Sequence, residues 1–157
     1  MPISPDELMR LAIEQARLAL KLDEVPIGCV IRHDPTARVI GSGFNRRETD
    51  HDPTAHAEIL AMRQAARELG HWRLIDCTIA VTLEPCPMCA GAIVNARLPR
   101  LIYGCADPKA GAVRTLYQIC DDARLNHRVQ ITEGILADRC AQLLQDFFKQ
   151  QRAIGKK

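Results

Sequence analysis

The chain has 157 residues, of which 47% are apolar and 25% charged, with a formal net charge of +2. That length fits one ordinary domain, and the balance excludes a disordered or low-complexity chain. No apolar run approaches the roughly 20 residues of a membrane span, and so small a charge does not by itself point to nucleic acid.

The first residues, Met1 to Glu7, lack the basic start and apolar stretch of an export signal. They predict a cytoplasmic protein with no membrane association. Ser4-Pro5-Asp6-Glu7 combines a capping box with proline at the first helical position, so a helix starts there. Its apolar stripe is read as Leu8, Leu11, Leu18 and Leu22, and Asp23-Glu24-Val25-Pro26 ends it. Strands are predicted at Ile27 to Arg32 and Arg38 to Phe44, joined by a turn at Asp34-Pro35-Thr36.

Asn45 to Pro53 is polar and reads as a loop. Ala55 to Leu69 reads as a helix with Ile59, Met62, Ala66 and Leu69 on one face, stopped by Gly70. Cys77 to Leu83 is a β-branched strand, Cys86 opens a helix reaching Arg97, and Leu101 to Cys105 is a fourth strand. A loop at Asp107 to Gly111 precedes a short helix near Val113 to Ile119. Val129 to Thr132 is a candidate fifth strand. A final helix, from about Leu136 to Gln151, turns Leu136, Cys140, Leu143, Leu144 and Phe147 inward.

This order implies one α/β domain over residues 1–157. Its expected architecture is three α/β/α layers, with a mixed sheet of about five strands. From about Lys149 a basic tail follows, carrying Lys149, Arg152, Lys156 and Lys157.

The chain has seven cysteines, an odd number in a sequence with no export signal, so a disulfide framework is not expected. Cys29, Cys77, Cys105, Cys120 and Cys140 read as small buried hydrophobes. Cys86-Pro87-Met88-Cys89 is different. Two thiolates at this spacing reach one ion, and a helix start favours the thiolate form. A structural zinc commonly wants a second such pair, and none is present. His56 can be the third ligand, which leaves a fourth position open, the mark of a catalytic zinc.

Glu58 follows His56 by two residues, about 200° around a regular helix, so the two do not share a face. They converge on one ion only at the open end of the helix. With Thr54 as N-cap, His56 falls in the first turn. Two helix N-termini are therefore expected to point at one metal.

His56-Ala57-Glu58 followed by Pro85-Cys86-Pro87-Met88-Cys89 matches the zinc-deaminase signature. At these residues the chain resembles the cytidine deaminase superfamily. More narrowly, it is similar to the bacterial tRNA-specific adenosine deaminases. The likeness includes Glu24-Val25-Pro26, Gly43-Phe44-Asn45-Arg46, the runs His51 to Ala61 and Arg73 to Asp76, and Val81 to Ala92. It continues through Asn126 to Arg128, Ile131 to Asp138 and Asp146-Phe147-Phe148. The later segments distinguish it from base deaminases that share the zinc motifs. Arg47 to Asp50 departs from the family pattern, and Glu48 and Asp50 make that side less basic.

The resemblance implies a cytidine deaminase-like fold, one zinc per subunit, and a homodimer acting on the tRNA anticodon arm. It implies hydrolytic conversion of adenosine to inosine at the wobble position of an arginine tRNA, with Glu58 as proton shuttle. It also suggests that Asn45 meets the base edge, Val25 packs on the base, and Asp107 and Lys109 touch flanking nucleotides. Phe148 would stack on a base, and Arg46, Arg128, Lys149 and Arg152 would meet phosphates. Two other readings stand beside this one: a deaminase of a free base such as guanine or cytosine, and a non-enzymatic zinc-stabilised RNA-binding module.

Overall fold

The computed structural model describes residues 3–155. Met1, Pro2 and the tail residues Lys156 and Lys157 lie outside the described residues.

Helix α1 (Pro5–Leu20) begins as its sequence predicts: the Ser4 hydroxyl accepts from Glu7 N at 3.2 Å, and the Glu7 carboxylate accepts from Ser4 N at 3.0 Å. Its buried face differs from the expected leucine stripe. Leu8, Met9, Ala12, Ile13, Ala16 and Ala19 are buried, whereas Leu18 and Leu22 are exposed. Small alanines form the seam because the sheet comes very close. A Cβ added at Gly28 would stand 2.1 Å from the Ala12 carbonyl oxygen.

Strands β1 (Gly28–His33) and β2 (Arg38–Phe44) form the expected hairpin. Then come α2 (Ala57–Leu69), β3 (Cys77–Leu83), α3 (Pro87–Asn95), β4 (Arg100–Cys105), β5 (Gln130–Thr132) and α4 (Ala137–Ala153). Gly70 ends α2 in the left-handed conformation at φ 68°, as expected. The face of α2 is shifted from the predicted one: Ala57, Glu58, Ala61, Met62 and Ala65 are buried, and Leu69 is exposed. The predicted helix near Val113 to Ile119 is absent, and a single 3₁₀ turn at Ile119–Asp121 stands in its place. Backbone donors of that stretch instead serve a buried carboxylate described below.

The sheet is mixed and open, in the order β2-β1-β3-β4-β5. β1 runs antiparallel to β2 and to β3, while β3, β4 and β5 are mutually parallel. Helices α2 and α3 pack on one face around Ile31, Ile79, Ile93 and Leu101. Helices α1 and α4 cover the other around Val30, Ala80, Ile102 and Cys140. This is the expected three-layer arrangement. In α4, Cys140 and Phe147 are buried as predicted, and Leu136, Leu143 and Leu144 pack partly buried against the same core.

Strand direction decides where chemistry collects. The pairings Gly28↔Phe44, Cys29↔Val81 and Leu83↔Cys105 bring the start of β1 and the ends of β2, β3 and β4 to one edge of the sheet. Open α/β sheets bind ligands just beyond that edge. No helix among the described residues is long and apolar enough to cross a membrane.

Candidate metal centre and cleft

Two helix starts meet at this edge. Cys86 is the N-cap of α3 and Pro87 occupies its first turn, where a missing N–H leaves nothing unpaired. His56, not Thr54, is the N-cap of α2, with extended backbone at φ −80° and ψ 152°. Thr54 instead makes a local turn, its N–H and hydroxyl both donating to Asp52 at 2.8 and 2.7 Å. As an N-cap, His56 leaves the helical spiral, so the 200° separation from Glu58 does not apply. The predicted convergence of two helix N-termini stands, with the start of α2 two residues later than expected.

His56 Nδ1 lies 3.6 Å from Cys86 Sγ and 3.5 Å from Cys89 Sγ. The three ligand atoms all fall within 4.8 Å of one another, so they could hold a metal ion. Tetrahedral zinc bonds of about 2.3 Å to sulfur and about 2.0–2.1 Å to nitrogen require an N···S spacing of about 3.6 Å. The donor set fits.

In this arrangement the Cys89 thiol donates to Cys86, which with help from His56 brings the Cys86 thiol down to about 4. The same bond, with burial, pushes Cys89 far up. Contact with Cys86 raises His56 above the ordinary imidazole value. Glu58 is 4% exposed, and burial pushes its carboxyl up to about 7. It is a buried acid poised near neutrality, the property of a general acid–base group.

A cleft opens over these residues. Val25, Ile27 and Leu83 form apolar walls, and Asn45, Arg47 and Asp107 bring polar groups. His56, Glu58 and Cys86 lie at its base, and Phe148 closes one side. Asn45 is 5% exposed and fixed: its Oδ1 accepts from Arg47 N at 3.1 Å and its Nδ2 donates to the Val25 carbonyl at 3.4 Å. One donor and one lone pair stay free for a ligand. Phe148 is 42% exposed, so it belongs to the cleft rather than the core. Asp107 Oδ1 accepts from Lys109 N and Ala110 N at 2.9 and 3.2 Å, shaping its own turn. The Lys109 side chain is exposed and does not line the cleft.

The basic residues separate into two kinds. Arg46 is held by Asp50 at 3.0 Å, and Arg128 by Asp121 at 2.7 Å. Lys149 and Arg152 are exposed on α4. Among the described residues neither makes an ion pair.

Two buried acids were not singled out from sequence. Glu24 is 1% exposed and accepts from Glu48 N and Thr49 N at 3.3 and 2.7 Å, tying the departing loop beneath the cleft. Glu84 is also 1% exposed and binds the segment on the opposite side. The only available signal was an acid beside each motif, Glu24 before Val25-Pro26 and Glu84 before Pro85-Cys86.

Residues 3–152 match the family model of the MafB19-like deaminases. A tRNA-specific adenosine deaminase of Streptococcus pyogenes serotype M1 is 48% identical over 159 residues, covering 99% of this chain and 92% of that one. A solved structure from work on A-to-I editing by tRNA:A34 deaminases is 43% identical with a TM-score of 0.82, covering 87% of this chain and 98% of that one. A guanine deaminase from Nitrosomonas europaea, at 22% identity and a TM-score of 0.80 over 92% of this chain and 84% of that one, shares the fold. The chain belongs to the MafB19-like deaminase family.

Proposed function

We propose that the chain is a zinc-dependent tRNA adenosine deaminase that forms inosine at the wobble position of an arginine tRNA. The reaction class rests on His56, Cys86 and Cys89 at tetrahedral spacing beside buried Glu58. The substrate rests on identity with tRNA-acting relatives along nearly the whole chain, since the guanine deaminase neighbour has the same fold at far lower identity.

In this reading His56, Cys86 and Cys89 hold one zinc per subunit. Zinc bound there supplies a Lewis acid that makes water nucleophilic near neutral pH. Glu58 takes the proton that the attacking water gives up and returns it to the purine ring. Once C6 is tetrahedral, Glu58 takes the second proton of the added water, from the new C6 hydroxyl, and passes it to the amine; the C6–N bond breaks, and ammonia leaves. Val25, Ile27 and Leu83 sandwich the base and exclude bulk water, and Asn45 offers its free donor and acceptor to the base edge. Phe148 stacks on a neighbouring base, and Asp107 and Lys109 meet the flanking nucleotides. Lys149 and Arg152 are the unpaired phosphate contacts. Arg46 and Arg128 serve only after parting from Asp50 and Asp121.

We also place the functional unit as a homodimer. An apolar groove between α2 and α3, formed by Ile59, Met62, Ala66, Ala92 and Ala96 with Trp72 at its rim, supports this. Trp72 is 53% exposed. The expected cellular site is the cytoplasm, where tRNA is processed.

The deciding experiment incubates the zinc-loaded chain with an arginine tRNA anticodon stem-loop, free guanine and free cytosine, and measures inosine and ammonia. Inosine from the stem-loop alone is expected. Ammonia from a free base would overturn the substrate, and ammonia from none of the three would leave the non-enzymatic module standing.

A further inference from the structure

Glu84 closes the end of β3 and lies two residues before the candidate ligand Cys86. Its buried carboxylate takes part in none of the ion pairs among the described residues. A buried carboxylate is tolerable only when its lone pairs are filled. Here the donors come from one segment. Oε2 accepts from Val113 N, Arg114 N and Thr115 N at 3.1, 2.8 and 3.0 Å. Oε1 accepts from Asp107 N at 3.1 Å and from the Thr115 hydroxyl.

The segment wraps its anchor tightly. A Cβ added at Gly111 would stand 2.4 Å from Glu84 Oε1 and 2.6 Å from the Asp107 carbonyl oxygen. The same segment supplies Asp107 and Ala110 to the cleft wall. It contains no helix before Ile119, so its shape comes from the carboxylate.

We infer that Glu84 is a positioning residue, whose carboxylate holds residues 107–115 as a rigid wall so that Asp107 and Ala110 meet the entering nucleotide. This rests on the tRNA adenosine deaminase reading above. Glu84 borders the cleft, but both of its carboxylate oxygens are engaged by donors of this segment. It acts by removing the ordering cost that a loose loop would add to substrate binding.

The test uses the zinc-loaded full chain and steady-state deamination of the arginine tRNA anticodon stem-loop. Glu84→Gln places an amide NH₂ among backbone donors, and Gly111→Ala forces the carboxylate out while leaving it ionised. Both are expected to raise KM roughly tenfold with a smaller change in kcat and an unchanged zinc content. Thr115→Val should raise KM less, and Thr115→Ser should restore it. Amide exchange at Val113 to Thr115 should quicken in step with KM. A KM within twofold of wild type, with only kcat or the folded fraction lowered, would overturn the inference. If Glu84→Gln does not fold, Gly111→Ala and Thr115→Val carry the same comparison. A wild-type chain that forms no inosine overturns the substrate reading and this inference with it. Unchanged KM in variants of an active chain overturns this inference alone.

Discussion

His56 Nδ1 and Cys89 Sγ stand 3.5 Å apart although 33 residues separate them in the chain. Each is fixed by the start of a different helix, His56 as N-cap of α2 and Cys89 within the first turn of α3. A site preformed in this way should load one zinc per chain. Cys89→Ser and His56→Ala should each bind zinc far more weakly and lose deamination, while dialysis of zinc into metal-stripped wild-type protein should restore its deamination. Metal content by elemental analysis beside inosine formation checks this. A Cys89→Ser chain with full zinc and full turnover would remove Cys89 from the ligand set.

Glu58 lines the cleft beside His56 and Cys86, and it is the acid there whose carboxyl is raised to about 7. Glu58→Gln keeps the shape and removes the proton carrier. Its kcat should fall by about 10²–10⁴ with zinc retained, the range expected for loss of general acid–base catalysis. Turnover within tenfold of wild type would exclude the role.

The same acid should leave a mark on stability. Burial raises the folded-state carboxyl to about 7, against about 4.3 for an unfolded glutamate. Between those values the folded protein binds more protons than the unfolded chain, so stability falls as pH rises. The stabilising effect of the proton is fully present below about 4.3 and lost by about 7. The shift corresponds to a few kcal/mol, about 1.4 per unit. In metal-stripped protein the Cys86 thiol, held down to about 4, contributes a slope of opposite sign over the same range, so the Glu58 contribution is the difference between two proteins: in urea unfolding from pH 5 to 7, Glu58→Gln should gain stability relative to wild type as pH rises. Parallel slopes in the two proteins would count against a protonated, buried Glu58.

Much of the site is legible from residue order because its ligands sit at helix starts. Local signals mark one start and one end: Pro87 at the first turn of α3, and Gly70 closing α2. The two-residue slip from Thr54 to His56 has a local cause, since Asp52 captures the Thr54 hydroxyl that would have capped the helix. The missing helix at Val113 to Ile119 has a distant one. Its apolar spacing suits a helix, but three of its backbone N–H groups go to Glu84, at separations of 29 to 31 residues. No window of local sequence contains that competition. The roles of Glu24 and Glu84 are hidden for the same reason: a glutamate that accepts from main-chain donors leaves no pattern in side-chain types.

Half of the leucine stripe of α1 holds, with Leu8 buried and Leu11 packed against the same core; the other half, Leu18 and Leu22, is exposed, for a geometric reason. Leucine spacing alone pointed to Leu18 and Leu22, yet a sheet within van der Waals reach of the helix backbone admits alanine more readily than leucine. Gly28, whose added Cβ would meet the Ala12 carbonyl oxygen at 2.1 Å, marks the closest approach. The buried face therefore runs Met9, Ala12, Ile13, Ala16, Ala19, and the exposed leucines lie off it. Two substitutions on this helix should separate the faces. Ile13→Ala empties a fully buried position and should destabilise by about 2–5 kcal/mol. Leu18→Ser should change stability by no more than about 0.5 kcal/mol, as exposed positions do. Gly28→Ala should cost more than Leu18→Ser, because the clash is with backbone that no rotamer can relieve. Urea denaturation at matched protein and zinc concentrations measures all three. A cost at Leu18 equal to that at Ile13 would mean that the leucine stripe, and not the alanine seam, faces the sheet.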